Sequence, residues 1–92
     1  MLDFNVTLKG LDGQDVVDEK NEPVKVGKLL AGQLAFSNKG DALKMFHWAQ
    51  KMYAGEVLDL DKSDESTLKE FIKANESLTV LAKAQILQVF KD

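Results

Sequence analysis

From Leu2 to Leu8 apolar residues alternate with polar ones, Leu2, Phe4, Val6 and Leu8 against Asp3, Asn5, Thr7 and Lys9. This is the period-two pattern of a strand with one buried face. Gly10-Leu11-Asp12-Gly13 supplies turn chemistry, and Gln14 to Asp18, with the β-branched pair Val16-Val17, is predicted to return as an antiparallel partner. A second polar turn, Glu19 to Glu22, leads to Pro23-Val24-Lys25-Val26, extended because proline fixes its own φ and biases its predecessor. Proline also confines that segment to a sheet edge or a strand start.

At Gly27 the period changes to the helical one. Leu29, Leu30, Leu34 and Phe36 group toward one side, interrupted by Gly32, which costs about 1 kcal/mol relative to Ala and so predicts a close helix contact or a weak helix there. Ser37 to Gly40 is a break. The next stretch, Asp41 to Gly55, holds the only Trp, Tyr and His and two of the three Met. Asp41 is its predicted N-cap and Gly55 its left-handed C-terminal stop. Ala42, Met45, Phe46, Ala49, Met52 and Tyr53 share one face by spacings of three and four, so this helix is expected to supply the centre of the core. After a brief extended segment that packs Leu58 and Leu60, Asp61 or Ser63 is expected to cap a helix presenting Leu68, Phe71 and Ile72. Asp64 and Glu65 in its first turn have the sign the helix dipole favours. Asn75-Glu76-Ser77 is a break, and the stretch from Ser77 to Asp92 is apolar over so wide an arc that it is expected to be deeply buried or shared with a partner.

The predicted class is α+β: an N-terminal β-hairpin or three-stranded meander packed against three to four α-helices. All 92 residues form one domain, with a β-hairpin region over 1–26 and a helical region over 27–92. A chain of this length buries roughly 60 to 65% of its unfolded surface. Forty-five per cent hydrophobic residues and a single Pro set it apart from disordered chains. With no Cys, neither disulfides nor a thiolate metal site can staple the fold, which fits a reducing compartment. No apolar run approaches the ~20 residues of a membrane span, and the N-terminus lacks a signal pattern. The expected location is the cytoplasm, with no membrane partner.

Catalytic chemistry finds no purchase. His47 is the one imidazole, without a second His, a Cys or an acid at ligand spacing, so neither a zinc site nor a nucleophile and base pair can be built on it. Nothing matches GxGxxG or a Walker loop. Asp59 to Glu70, DLDKSDESTLKE, copies much of the EF-hand calcium pattern, yet Asp64 stands where the sharp turn needs Gly and Ser66 where an apolar residue belongs. A capped helix start explains the same letters. No enzyme, cofactor or metal is expected.

A formal charge of −3, with every cation a Lys and no Arg, removes the bidentate fork that grips phosphates and guanine edges. Nucleic-acid binding through the last two helices is the rival expectation, weakened because the second of them offers only Thr79, Lys83, Gln85 and Lys91 as polar groups. The leading expectation is a non-enzymatic protein-protein interaction module. Its candidate surface is the stripe Lys44, His47 and Lys51 with Trp48 on its flank, Trp being enriched at hot spots. A homodimer through the Ser77–Asp92 helix is the second way to use a protein partner.

The succession Gly40-Asp41-Ala42-Leu43-Lys44, Trp48-Ala49, Tyr53, Gly55-Glu56, then Leu58-Asp59-Leu60-Asp61-Lys62-Ser63-Asp64 and Leu78-Thr79-Val80-Leu81-Ala82-Lys83-Ala84-Gln85 resembles small open reading frames of bacteriophages and integrated prophages. It spans most of the chain after Gly27 and carries no catalytic motif. Such a resemblance implies an accessory role, an assembly factor for virion parts or an inhibitor of a host protein, and assigns no site residues.

Overall fold

The computed structural model describes residues 1–37 and 40–91. Asn38 and Lys39, in the break before the Trp-bearing helix, and Asp92 lie outside the described residues. Four helices carry the fold: α1 (Val26–Ala35), α2 (Ala42–Tyr53), α3 (Lys62–Ala74) and α4 (Val80–Gln88), followed by a 3-10 turn, Val89–Lys91. None of them is long and apolar enough to cross a membrane.

The expected α+β class is corrected by the first 25 residues. They contain no β-hairpin ladder and no meander; the antiparallel contacts are isolated bridges, Leu2 with Leu58, Thr7 with Lys25, Lys9 with Asp15 and Val17 with Pro23. The chain is mainly helical. The reason lies in how three extended segments share their main-chain groups. Val16 N–H donates to Leu8 C=O at 2.9 Å, Val24 N–H to Val16 C=O at 2.9 Å, and Leu8 N–H to Val24 C=O at 2.7 Å. Each segment gives its donor to one neighbour and its acceptor to the other, so the bonds close into a triangle instead of repeating along a pair. The alternation itself was informative: Leu2, Phe4 and Leu8 are buried, while Val6 turns outward. The two polar stretches are turns as expected, with Asp12 and Asp18 side chains accepting from the N–H groups two residues on.

The N-terminal segment also caps α1. Lys25, at the N-cap, offers no side-chain acceptor. Its place is taken by two carbonyls, Val6 accepting from Val26 N–H at 2.8 Å and Phe4 from Gly27 N–H at 2.9 Å, which satisfies donors a helix start leaves open. This approach explains Gly27: a Cβ there would stand 2.9 Å from Phe4 O and 3.2 Å from Met52 O.

α1 packs on both α2 and α4, burying Val26, Leu30, Ala31 and Leu34, so it lies nearer the middle of the core than α2 does. Asp41 caps α2, accepting from Lys44 N–H, and Gly55 follows it at φ 79°, both as predicted. The helix is rotated from its expected phase. Met45, Trp48, Ala49 and Met52 are buried, whereas Phe46 and Tyr53, expected in the core, are largely exposed. Asp61 caps α3 through Asp64 N–H at 2.8 Å, and α3 buries Leu68 and Ile72. Asn75 ends it: its side-chain oxygen accepts from Ser77 and Leu78 N–H, and its amide donates to Gln33 on α1 at 3.1 Å. Thr79, two residues beyond the expected start, caps α4. The wide apolar arc of α4 is spent within the chain, Ala82 and Ile86 buried and Leu81, Leu87, Val89 and Phe90 packed against the core, with Val80 left in solvent.

Candidate functional site

Of the four residues of the predicted stripe, Lys44 and His47 are exposed, Lys51 is half-buried and Trp48 is buried. Lys44 points toward α3 and donates to Asp64 at 2.9 Å. That hydrogen bond and the carboxylate charge behind it raise the Lys44 pKa above its ordinary value. Lys51 stands 4.0 Å from Glu56. His47 is exposed between them, and Trp48, at 5% exposure, belongs to the core. What remains of the stripe is an imidazole flanked by two cations that have acidic neighbours.

The other exposed side of α2 is apolar. Phe46 and Tyr53 lie a little under two turns apart and are 57% and 65% exposed, with Leu43 more exposed still. Across from them runs the open side of α1, with Ala31, Gly32 and Ala35, and Phe36, just past the helix end, is 91% exposed. Between the two lies a groove of about 470 Å³, floored by those small residues with Ala49 and walled by Phe36, Phe46 and Tyr53.

Two features of its floor and rim matter. A Cβ built on Gly32 would meet no described atom within 4 Å, so of the two expectations for this glycine, a close helix contact or a weak helix, the close contact is not there. The glycine costs α1 about 1 kcal/mol and leaves open space in the groove. The single charged residue of the groove is Lys28, whose ammonium lies 5.1 Å from the centroid of the Tyr53 ring and forms no ion pair with a described carboxylate.

Sequence reasoning missed Lys28, Phe36, Phe46 and Tyr53 as surface residues because it placed both rings of α2 in the core. A signal was present. Large apolar residues occupy α2 at positions 43, 45, 46, 48, 52 and 53, more of the circumference than one buried face can take, so part of them had to remain outside.

Elsewhere, a second cavity of about 490 Å³ opens between Leu34, Met45, Trp48, Leu68 and Phe71. Its lining also includes Ser37, Thr67, Glu70 and Asn75, with no His or Lys among them. The EF-hand-like stretch is helical from Lys62 onward, with Asp61 occupied as a cap. Among the described residues no three His, Cys, Asp or Glu side chains stand together as a metal site. Comparison of the chain with protein-family models, with curated proteins and with solved structures finds no match.

Proposed function

We propose that this chain is a non-enzymatic protein-binding module of the cytoplasm, of the accessory kind that its phage-like segments imply, and that it holds its partner in the groove between α1 and α2. One observation carries this: three aromatic rings stand in solvent around a floor of small residues, over a glycine whose missing side chain no described neighbour requires. An apolar concavity of this kind is an ordinary feature of docking sites and an uncommon one on a surface meant only for water.

A photo-crosslinking residue in place of Phe36 is expected to capture a discrete protein in the source cell, and Gly32→Leu, which fills the groove, is expected to abolish the adduct. The same crosslinker at Lys20, on the far turn, supplies the background. A Phe36 adduct that persists in Gly32→Leu, or none above that background, would sink the proposal.

The nucleic-acid alternative draws less support. Lys83 is spent on the main-chain oxygens of Asn75 and Lys73, and Gln85 on both main-chain groups of Lys9. Thr79 is a cap. A mobility shift with duplex DNA at low salt that is lost as salt rises would favour the alternative, since phosphate contacts carry that dependence.

A further inference from the structure

We infer that the occupant of the α1–α2 groove is an amphipathic helix of another protein with acidic residues along the rim of its apolar face, an inference that rests on the proposed docking role of the groove. The sign comes from the charge distribution. α1 and α2 hold three lysines and no carboxylate. From Pro23 to Gly55 the sequence has five lysines and one acid, Asp41, and fourteen of the fifteen acidic residues lie elsewhere. Asp41 is engaged in capping. At the groove itself Lys28 is the one charge, placed over the Tyr53 ring and in no ion pair with a described carboxylate. A carboxylate arriving there gains a cation that has no carboxylate to give up.

The shape fits a helix. The exposed apolar line on α2 runs from Leu43 to Tyr53, about 15 Å at the rise of an α-helix, which is roughly three turns of a helix lying alongside. Such a partner would present residues at i, i+3, i+4 and i+7 to the three rings and set its contact turn over Gly32. Gln50, in the wall between Phe46 and Tyr53, can serve polar groups at the edge of the contact. A second copy of this chain fits less well, because a two-fold contact across this groove would bring its one charge, Lys28, no acid from the facing copy's groove.

The test is selection from a displayed library of 14-residue amphipathic helices that share one apolar face and carry randomised rim positions, run against the whole chain. Enrichment of Asp and Glu at the rim is expected. Chosen helices should lose about tenfold in affinity to Lys28→Glu, the size of a close charge pair reversed, and lose binding altogether to Gly32→Leu, a variant expected to fold at least as well as the parent. Rims that come out basic or without preference, while Gly32→Leu still blocks them, would remove the acidic partner and leave the groove standing. No binder that depends on Gly32 or Phe46 would remove both. Sedimentation with phosphatidylglycerol vesicles forms a separate arm: binding lost on Phe46→Ser and Lys28→Glu would replace the helix with an anionic membrane surface and overturn the inference.

Discussion

Where α3 meets the end of α4, Phe90 and Phe4 make a T-shaped contact at 5.7 Å with the Lys69 ammonium over the Phe90 ring, so the ring is partly covered. Where α1 meets α2, Phe36, Phe46 and Tyr53 stay in water. Both seams hold more aromatic surface than a pair of helices needs for contact. What differs is the size of the residues opposite. On the α3 and α4 side, Leu68, Ile72 and Ile86 are fully buried large side chains, and Phe71 and Phe90 pack against the cluster they belong to. On the α1 and α2 side the groove floor is Ala31, Gly32, Ala35 and Ala49, side chains too small to bed a ring. Exposure of an aromatic residue is thus decided by its neighbours' volume as much as by its own hydrophobicity.

The strongest way to break this contrast is at the start of α1. Gly27→Ala forces a methyl against two main-chain oxygens that cannot move without shifting the N-terminal segment or α2. A loss of about 3 kcal/mol in urea unfolding is expected, at the upper end for overpacking. Next comes Phe90→Ala, expected to cost about 2 kcal/mol, discounted from a fully buried ring because the side chain is only partly covered. Its counterpart across the molecule, Phe36→Ser, should stay within about 0.5 kcal/mol by the same measurement. If the two losses came out equal, Phe36 would be holding the fold and the open groove would be an illusion of its placement. Gly32→Leu sharpens the contrast from the other direction, with unfolding expected to shift by up to about 1 kcal/mol toward greater stability, as a helix-favouring residue fills unoccupied space.

The smallest effect concerns the link between the two halves. Lys44 is the side chain that joins α2 to α3 by a direct ion pair, and its pKa is raised by Asp64. A lysine whose folded pKa lies above its unfolded value of 10.5 contributes stability that is fully present below that value and is lost as pH rises through the folded pKa. Melting temperature should therefore fall slightly faster above pH 10.5 in the parent than in Lys44→Met. At neutral pH the two should differ little, since the pair is solvent-exposed.

The caps and breaks of the helical part were legible in the chain because they are local. The capping bonds of Asp41, Gly55, Asp61 and Asn75 reach groups within four residues, and the letters at those positions fix what they can do, whereas the bond from Asn75 to Gln33 is long-range. The rotation of α2 was not legible. Met45 and Met52 point to the core in either phase, and choosing between Trp48 and the pair Phe46 and Tyr53 requires knowing that the facing helix is lined with Ala and Gly. That is a fact about packing, not about period. The N-terminal class failed for a related reason. Alternation correctly marked which side of Leu2 to Leu8 is buried, but a pattern of period two says nothing of how many neighbours share the main-chain groups, and here there are two. The ion partners of the candidate stripe were not legible either: Asp64, which engages Lys44, is twenty residues away, and Glu56 adjoins Lys51.

The triangle of Leu8, Val16 and Val24 has a bearing on how the protein behaves in a crowd. A strand at the rim of an ordinary sheet leaves a row of unused donors and acceptors, and that row is a template on which other chains add to form aggregates. Here each of the three residues spends its donor and its acceptor on the other two, and the next one along, Lys9, has both main-chain groups bound by the side-chain amide of Gln85 at 2.8 and 2.7 Å. The most β-prone third of the sequence is thereby denied the free rim that would let it propagate, at the expense of the ladder that would have made it a sheet.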